Sequence, residues 1–270
     1  MGAGIAHAFA AVGCAVTVIE PGTDGQRAAL ARIGSILERA ATLNPGGEPA
    51  TEVLRRVQAA GSPDDLPGDC DLVVEAVPEL PEMKAVVLAA AERAVGEQCL
   101  IASNTSSLSI TSLARGLAVP ARFLGMHFFN PVPASALVEI VTGEETSAAA
   151  VERAVSWTRL VRKTEIVVRD SPGFATSRLG VLLGLEAIRM VEEGVADAAS
   201  IDRAMELGYR HPTGPLRSTD IVGLDVRLNI AEHLAATLGP RFEPPALLRD
   251  MVARGELGRK SGQGFYRWDG

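Results

Sequence analysis

The sequence predicts an α/β protein in two parts: a doubly wound, mostly parallel sheet over residues 1–170, then an all-helical part over residues 171–270. Three observations predict it. Short apolar runs rich in Val and Ile alternate with helical stretches as far as Arg169, the pattern of parallel strands joined by crossover helices. Beyond Asp170-Ser171-Pro172-Gly173 no strand-like run recurs, and only long helical periodicities remain. A chain of 270 residues also suits a domain of about 150 residues followed by a smaller one.

The opening MGAGIAHAFAAVG is small and apolar and reads as a buried helix. No Lys, Arg, Asp or Glu occurs before Glu20, but a signal peptide needs a basic start and a membrane span needs about 20 strongly apolar residues. Neither is expected. CAVTVIE (14–20) ends in a carboxylate and a Pro-Gly turn, as a buried parallel strand does. A helix follows from about Asp24 to Ala41, with Leu30, Ile33 and Leu37 on one face. The breakers of Asn44 to Gly68 predict loop, one short helix and a weak strand. DLVVEAVPE (71–79) is the clearest strand, interrupted only by Glu75. Helix 81–95, strands 99–103, 123–127 and 137–141, helix 147–161 and strand 164–168 complete the first part. Helices over 174–193, 198–207, 223–238 and 244–254 make up the second.

Lys and Arg number 26 against 33 Asp and Glu, a net charge of -7, so no basic field exists to hold a nucleic-acid backbone. Cys14, Cys70 and Cys99 lie far apart in sequence and show no Cys-x-x-Cys spacing, so no zinc site, other metal centre or disulfide framework is expected. Their scarcity fits a reducing cytoplasm.

In a dinucleotide-binding Rossmann unit, the first strand ends in Gly-x-Gly-x-x-Gly and the following helix turns its N-terminus to the pyrophosphate. Met1-Gly2-Ala3-Gly4 runs into a small-residue helix and then into a strand ending at Glu20, which is the order left once the first strand and two glycines are taken away. The expectation is a Rossmann-type, N-terminally incomplete domain, with roughly ten residues of first strand before Met1. Gly2 would adjoin the cofactor, and Glu20 would accept a bond from the ribose 2′-hydroxyl, favouring NAD over NADP. The alternative is that Gly2 and Gly4 are only small residues on a packed helix and Glu20 a solvated acid.

His127 follows a buried strand in a loop rich in Phe and Pro, and Glu139 is the only charge in LVEIV (137–141). Imidazole titrates near neutrality, and a buried carboxylate can orient it and stabilise its cation. A satisfied core histidine is the other reading, against which stands the cost of leaving Glu139 buried without a partner. Ser106 and Ser107 precede an apolar run, so Ser106 is also a candidate helix N-cap.

At SNTSSLSIT (103–111), GMHFFNPVP (125–133), LVEIV, DSPGF (170–174) and GRKSGQGFY (258–266), the chain resembles the L-3-hydroxyacyl-CoA dehydrogenase family from end to end. That resemblance implies NAD-dependent, reversible oxidation of the 3-hydroxyl of an acyl-CoA, hence a role in fatty acid metabolism. It implies His127 as general base, Glu139 as its orienting partner and Ser106 as the contact to the substrate 3-oxygen. It places Glu79, Lys84 and Asn130 near the ribose and nicotinamide, and Lys260 on a helical part that closes over the cofactor. The family motif before the first helix makes Met1 look like an internal Met. Ser177 stands where the family usually has an Asn that helps place substrate, which puts acyl preference in doubt. Ser35, with Arg32 and Arg39, falls near the family's CoA contacts, although Arg on a helix face is also commonly just solvated. A homodimer through the 171–270 substrate-binding and dimerisation domain is implied as well.

Two other classes compete. A carrier-protein, sugar-acid or carnitine-type substrate would keep His127 and Glu139 and change the pocket. A non-catalytic NAD-binding homologue would keep only the fold.

Overall fold

The structure is a computed structural model that describes residues 1–43 and 46–268. The predicted loop residues Asn44 and Pro45 lie outside the described residues. Two compact units divide the chain at Met1–Asp170 and Ser171–Gly270.

The first unit contains α1 (Gly2–Ala10), β1 (Val16–Ile19), α2 (Thr23–Leu43), α3 (Ala50–Leu54), β2 (Val57–Ala60) and β3 (Leu72–Glu75). It continues with α4 (Pro81–Ala94), β4 (Leu100–Ser103), α5 (Ile110–Ala114), β5 (Phe123–Phe128), β6 (Leu137–Thr142), α6 (Ala148–Leu160) and β7 (Thr164–Arg169). β1 and β2 pair in parallel as a two-stranded sheet, while the other five strands form one sheet in the order β3-β4-β5-β6-β7. All of its pairings are parallel except β5 with β6.

Helix α1 connects the two sheets because its apolar residues face two ways. Ile5, Ala8 and Phe9 pack on the larger sheet, whereas Ala6 and Ala10 pack with Ile33, Leu37, Val53 and Val57 beside the smaller one. Phe9 reaches Phe128 and Trp157 edge-on, with centroids 6.5 and 5.9 Å apart. Gly4 has to be small, since a Cβ there would lie 3.0 Å from the Val132 side chain.

Strand alternation sorts the larger sheet into two faces. Leu100, Ala102, Leu124, Met126, Phe128, Val138 and Ile140 point to the core shared with α1 and α6. The residues between them, His127 and Glu139 included, point to the opposite face. On that face Gly125 makes room for Ile110 of α5, because a Cβ would sit 2.9 Å from the isoleucine.

The strands are shorter than the apolar runs suggest. β3 stops at Glu75 rather than continuing to residue 79, because the Glu75 carboxylate turns back to take the Val77 N–H at 2.7 Å. Two short helices, α5 here and α9 below, have too few turns to show as periodicities in the sequence.

The second unit holds α7 (Thr176–Glu192), α8 (Ala198–Gly208), α9 (Pro215–Val222), α10 (Leu224–Leu238) and α11 (Ala246–Ala253) around a core that includes Leu185, Ile188, Leu216, Leu234 and Leu248. Two buried carboxylates organise it. Asp202 accepts the Leu216 and Arg217 N–H groups at the start of α9, both at 2.8 Å, and Tyr266 Oη at 2.7 Å. Asp220 accepts from Phe265 N, Tyr266 N and Trp268 Nε1. The close approach explains part of GRKSGQGFY: a Cβ on Gly264 would fall 2.3 Å from the Asp220 carboxylate.

Candidate active site

The carboxyl ends of β3, β4 and β5 lie along one edge of the larger sheet, where α/β folds hold ligands. A cleft of about 300 Å³ opens there, lined by Met1, Ala76, Val77, Glu79, Asn104, Ser106 and His127 through Asn130.

His127 is the penultimate residue of β5 rather than part of the following loop. Its directly opposed neighbour across the antiparallel ladder is Glu139 of β6. Opposed residues in such a pair project to the same face, so the register alone brings the side chains together. His127 Nδ1 lies 2.8 Å from Glu139 Oε2, with the carboxylate fully buried and the imidazole at the cleft wall. The Phe129 ring packs on the imidazole at 4.4 Å between centroids. An ionised Glu139 is an acceptor only, so Nδ1 carries the proton and Nε2 is the basic nitrogen.

Behind the cleft is a charge network that sequence reasoning did not anticipate. Lys84 and Glu75 are each about 1% exposed, their charges meeting at 2.8 Å, and Lys84 Nζ also donates to the Val77 carbonyl at 3.1 Å. The same ammonium lies 3.2 Å from Glu79 Oε2. Lys84 therefore stands behind the cleft wall, holding Glu79, and does not line the cleft. Glu79 Oε1 in turn accepts from Thr105 Oγ1 at 2.6 Å, Ser106 N at 2.9 Å and Ser107 N at 3.2 Å. Burial alone would raise the Glu79 pKa, but the bonds from Thr105 and Ser106 and the charge of Lys84 outweigh it and hold the carboxyl below the ordinary carboxylate range.

Ser106 thus sits on a loop fixed from below by Glu79, with its hydroxyl 3.3 Å from the same oxygen. It does not cap a helix. Ser109 does so, accepting from Ser112 N at the start of α5. Two further residues escaped the sequence reading. Asn104 Oδ1 accepts the Phe128 N–H at 2.8 Å and fixes the end of β5 to the end of β4. Lys163 Nζ donates to the carbonyls of Val132, at 2.6 Å, and of Ser135, pinning the loop after Asn130. The polar residue after Ser103 was a signal for the first; for the second, a lone lysine in a turn offers none.

The cleft therefore gathers Ser106, Glu79, His127 and Asn130, with Glu139 and Lys84 directly behind it. Glu20 is exposed at the end of β1, and Gly2 begins α1, its Cα side 3.8 Å from Ala76 Cβ when a Cβ is built on it. Ser35 lies on the exposed side of α2, its hydroxyl donating to the Ala31 carbonyl at 3.1 Å. Arg32 and Arg39 are exposed on the same helix. Ser177 and Lys260 belong to the second unit: Ser177 in the first turn of α7, half-buried, and Lys260 paired with Asp225 at 2.5 Å. Among the described residues no group of His, Cys, Asp and Glu could hold a metal ion, and no helix is long and apolar enough to cross a membrane.

A mostly parallel sheet with a cleft at its carboxyl edge, and in that cleft a histidine oriented by a buried carboxylate, is the arrangement suited to a nucleotide-dependent oxidoreductase acting on an alcohol. Comparison with known proteins narrows this. Residues 1–171 match the family profile described as 3-hydroxyacyl-CoA dehydrogenase, NAD binding domain, and residues 173–268 match the C-terminal domain of the same family. The chain is 40% identical to a probable 3-hydroxybutyryl-CoA dehydrogenase of Deinococcus radiodurans, over 99% of this chain and 96% of the relative. Identity to the 3-hydroxybutyryl-CoA dehydrogenase of Mycobacterium tuberculosis is also 40%, over 99% and 95%. The crystal structure of (S)-3-hydroxybutyryl-CoA dehydrogenase from Ralstonia eutropha superposes with a TM-score of 0.95 at 39% identity, covering 100% of this chain and 96% of that one. The chain belongs to the 3-hydroxyacyl-CoA dehydrogenase family.

Proposed function

We propose that the protein oxidises the 3-hydroxyl of (S)-3-hydroxyacyl-CoA to the 3-oxo compound, reversibly, with NAD. The observation that carries this reading is the His127–Glu139 pair at the wall of the cleft. NAD, when bound, takes up the hydride that leaves the substrate carbon. The residues present suit it. The first turn of α1 has no side-chain cap, so its leading Gly2 and Ala3 N–H groups would meet an anion, and Glu20 offers an exposed carboxylate at the end of the next strand. Asn130 and Glu79, at the cleft, would adjoin the nicotinamide half, and Lys260 is a further candidate cofactor contact.

The residues of the chain manage the proton. His127 Nε2 accepts the hydroxyl proton as the carbonyl forms, and Glu139 stabilises the resulting imidazolium by accepting from Nδ1–H. Ser106 donates to the substrate 3-oxygen as negative charge develops there. Its backbone is already held by Glu79, which removes reorganisation from that step. Ser177 would meet the acyl group and Ser35 the CoA. With acetoacetyl-CoA and NADH the purified protein should consume NADH stoichiometrically with 3-hydroxybutyryl-CoA formed; binding of NADH without turnover would refute the reading.

The same reading makes the protein a cytoplasmic homodimer working in fatty acid metabolism. Exposed Leu179 and Leu182 on α7 with Ile221 and Val222 on α9 supply apolar surface for the dimer contact. Light scattering at micromolar concentration should give twice the chain mass.

A further inference from the structure

Helix α10 turns one stripe inward, made of Leu224, Arg227, Ala231 and Leu234. The three apolar members are wholly buried in the core of the second unit, and the arginine beside them is only 7% exposed. An arginine at that depth is ordinarily paired, because a buried charge without a counter-charge is costly. Arg227 has no ion pair and no side-chain hydrogen bond among the described residues, and its Nε is buried without a partner. Burial with no opposite charge to offset it pulls the guanidinium down to about 10.

Helix α7 leaves room for this group. Ser177, Gly180 and Gly184 are spaced i, i+3 and i+7 and share one face of that helix. A Cβ on Gly184 would lie 3.5 Å from Arg227 Nε and 3.6 Å from Cζ, and one on Gly180 would lie 3.7 Å from Nη1. A side chain longer than a methyl at either position would take the place of the guanidinium. Arg227 therefore lies along α7, with Nε at Gly184 and Nη1 one turn nearer Ser177. The face opens in the same direction, since Gly184 is buried while Gly180 and Ser177 are half-buried. Leu179 and Leu182, the apolar surface offered to a second copy, project from the opposite side of α7. The missing counter-charge is therefore sought in the substrate.

We infer that Arg227 binds a carboxylate at the far end of the acyl chain, so that the preferred substrates are (S)-3-hydroxyacyl-CoA thioesters of dicarboxylic acids. The inference rests on the reading of Ser177 as an acyl contact. A chain that passes Ser177 meets Nη1 one helical turn on, roughly 5 Å along α7. The guanidinium offers paired N–H donors in a planar fork that matches a carboxylate. A chain ending in a methyl leaves the buried charge unpaired, so discrimination comes from that penalty as well as from the new bonds.

The test compares 3-oxohexanoyl-CoA with 3-oxoadipyl-CoA, chains of equal length that end in a methyl and in a carboxylate. With NADH the parent should reduce the carboxylate-ended thioester with kcat/KM about 10- to 100-fold higher, mainly through a lower KM. Arg227→Met keeps the volume, removes the charge and should bring that ratio to within about threefold of unity. Arg227→Lys, which keeps the charge without the fork, should give an intermediate ratio. Equal kcat/KM in the parent, or a preference that survives in Arg227→Met, overturns the inference and leaves the dehydrogenase reading standing. An unchanged preference together with a monomeric Arg227→Met in light scattering would assign the guanidinium to the contact between copies. Reduction of neither thioester would count against the dehydrogenase reading, and melting temperatures then decide the carboxylate site. A larger rise with 3-oxoadipyl-CoA than with 3-oxohexanoyl-CoA, lost in Arg227→Met, upholds it; equal rises overturn it.

Discussion

At the scale of single residues, the site rests on carboxylates that hold other groups still. Glu139 holds His127 Nδ1 and, in the proposed reaction, would stabilise the imidazolium, so replacing it with Gln keeps the shape and removes both effects. Glu139→Gln should lower kcat by about 10²- to 10⁴-fold while changing KM far less, in steady-state assays with acetoacetyl-CoA; equal losses in both would place the residue in binding instead. Glu79 does the same for the Ser106 loop, and its lowered pKa ties that role to pH. A group whose folded pKa is depressed contributes stability that is present above its unfolded pKa and disappears as pH falls through the folded one. Thermal melts of Glu79→Gln and the parent should differ at pH 7 and converge below the ordinary carboxylate range; a gap that persists in acid would mean that hydrogen-bond geometry, not charge, matters there.

At the scale of elements, β3, β4 and α4 are joined by a buried charge pair. Lys84 comes from the first turn of α4 and Glu75 from the end of β3, and Ser103 at the end of β4 donates to Glu75 at 2.6 Å. Removing one member leaves the other charge buried alone. Lys84→Met should therefore cost about 3–5 kcal/mol in urea unfolding, and adding Glu75→Leu should return most of it. A double variant as unstable as the single one would show that packing rather than charge carries the pair.

This pair also marks where the sequence stops being readable. His127 and Glu139 were legible because each is the lone polar group in an apolar strand, and an unpartnered carboxylate in such a strand demands a partner. Glu75 carries the same signal, but its partner lies nine residues on in a helix that reads as an ordinary amphipathic one. Lys84 consequently reads in the sequence as a cofactor contact, whereas in the structure it is buried and pairs with Glu75 and Glu79. Ser106 and Ser109 both precede the apolar run of α5, and only the loop geometry imposed by Glu79 decides that Ser109 makes the cap.

At the scale of the whole molecule, the alternation of runs up to Arg169 was readable because a mostly parallel sheet and a set of helices impose different periods on the chain; the compact units are Met1–Asp170 and Ser171–Gly270. The antiparallel β5–β6 pairing was hidden, since both strands are apolar throughout and their direction leaves no mark on composition. Yet that reversal sets His127 opposite Glu139, and so creates the chemical centre on which the proposed activity depends. Its most direct test is kcat/KM for acetoacetyl-CoA reduction by His127→Asn, with NADH affinity measured separately by fluorescence. The expected result is a fall of about 10²- to 10⁴-fold with NADH binding unchanged; a rate within about threefold of the parent would contradict a catalytic imidazole at this position.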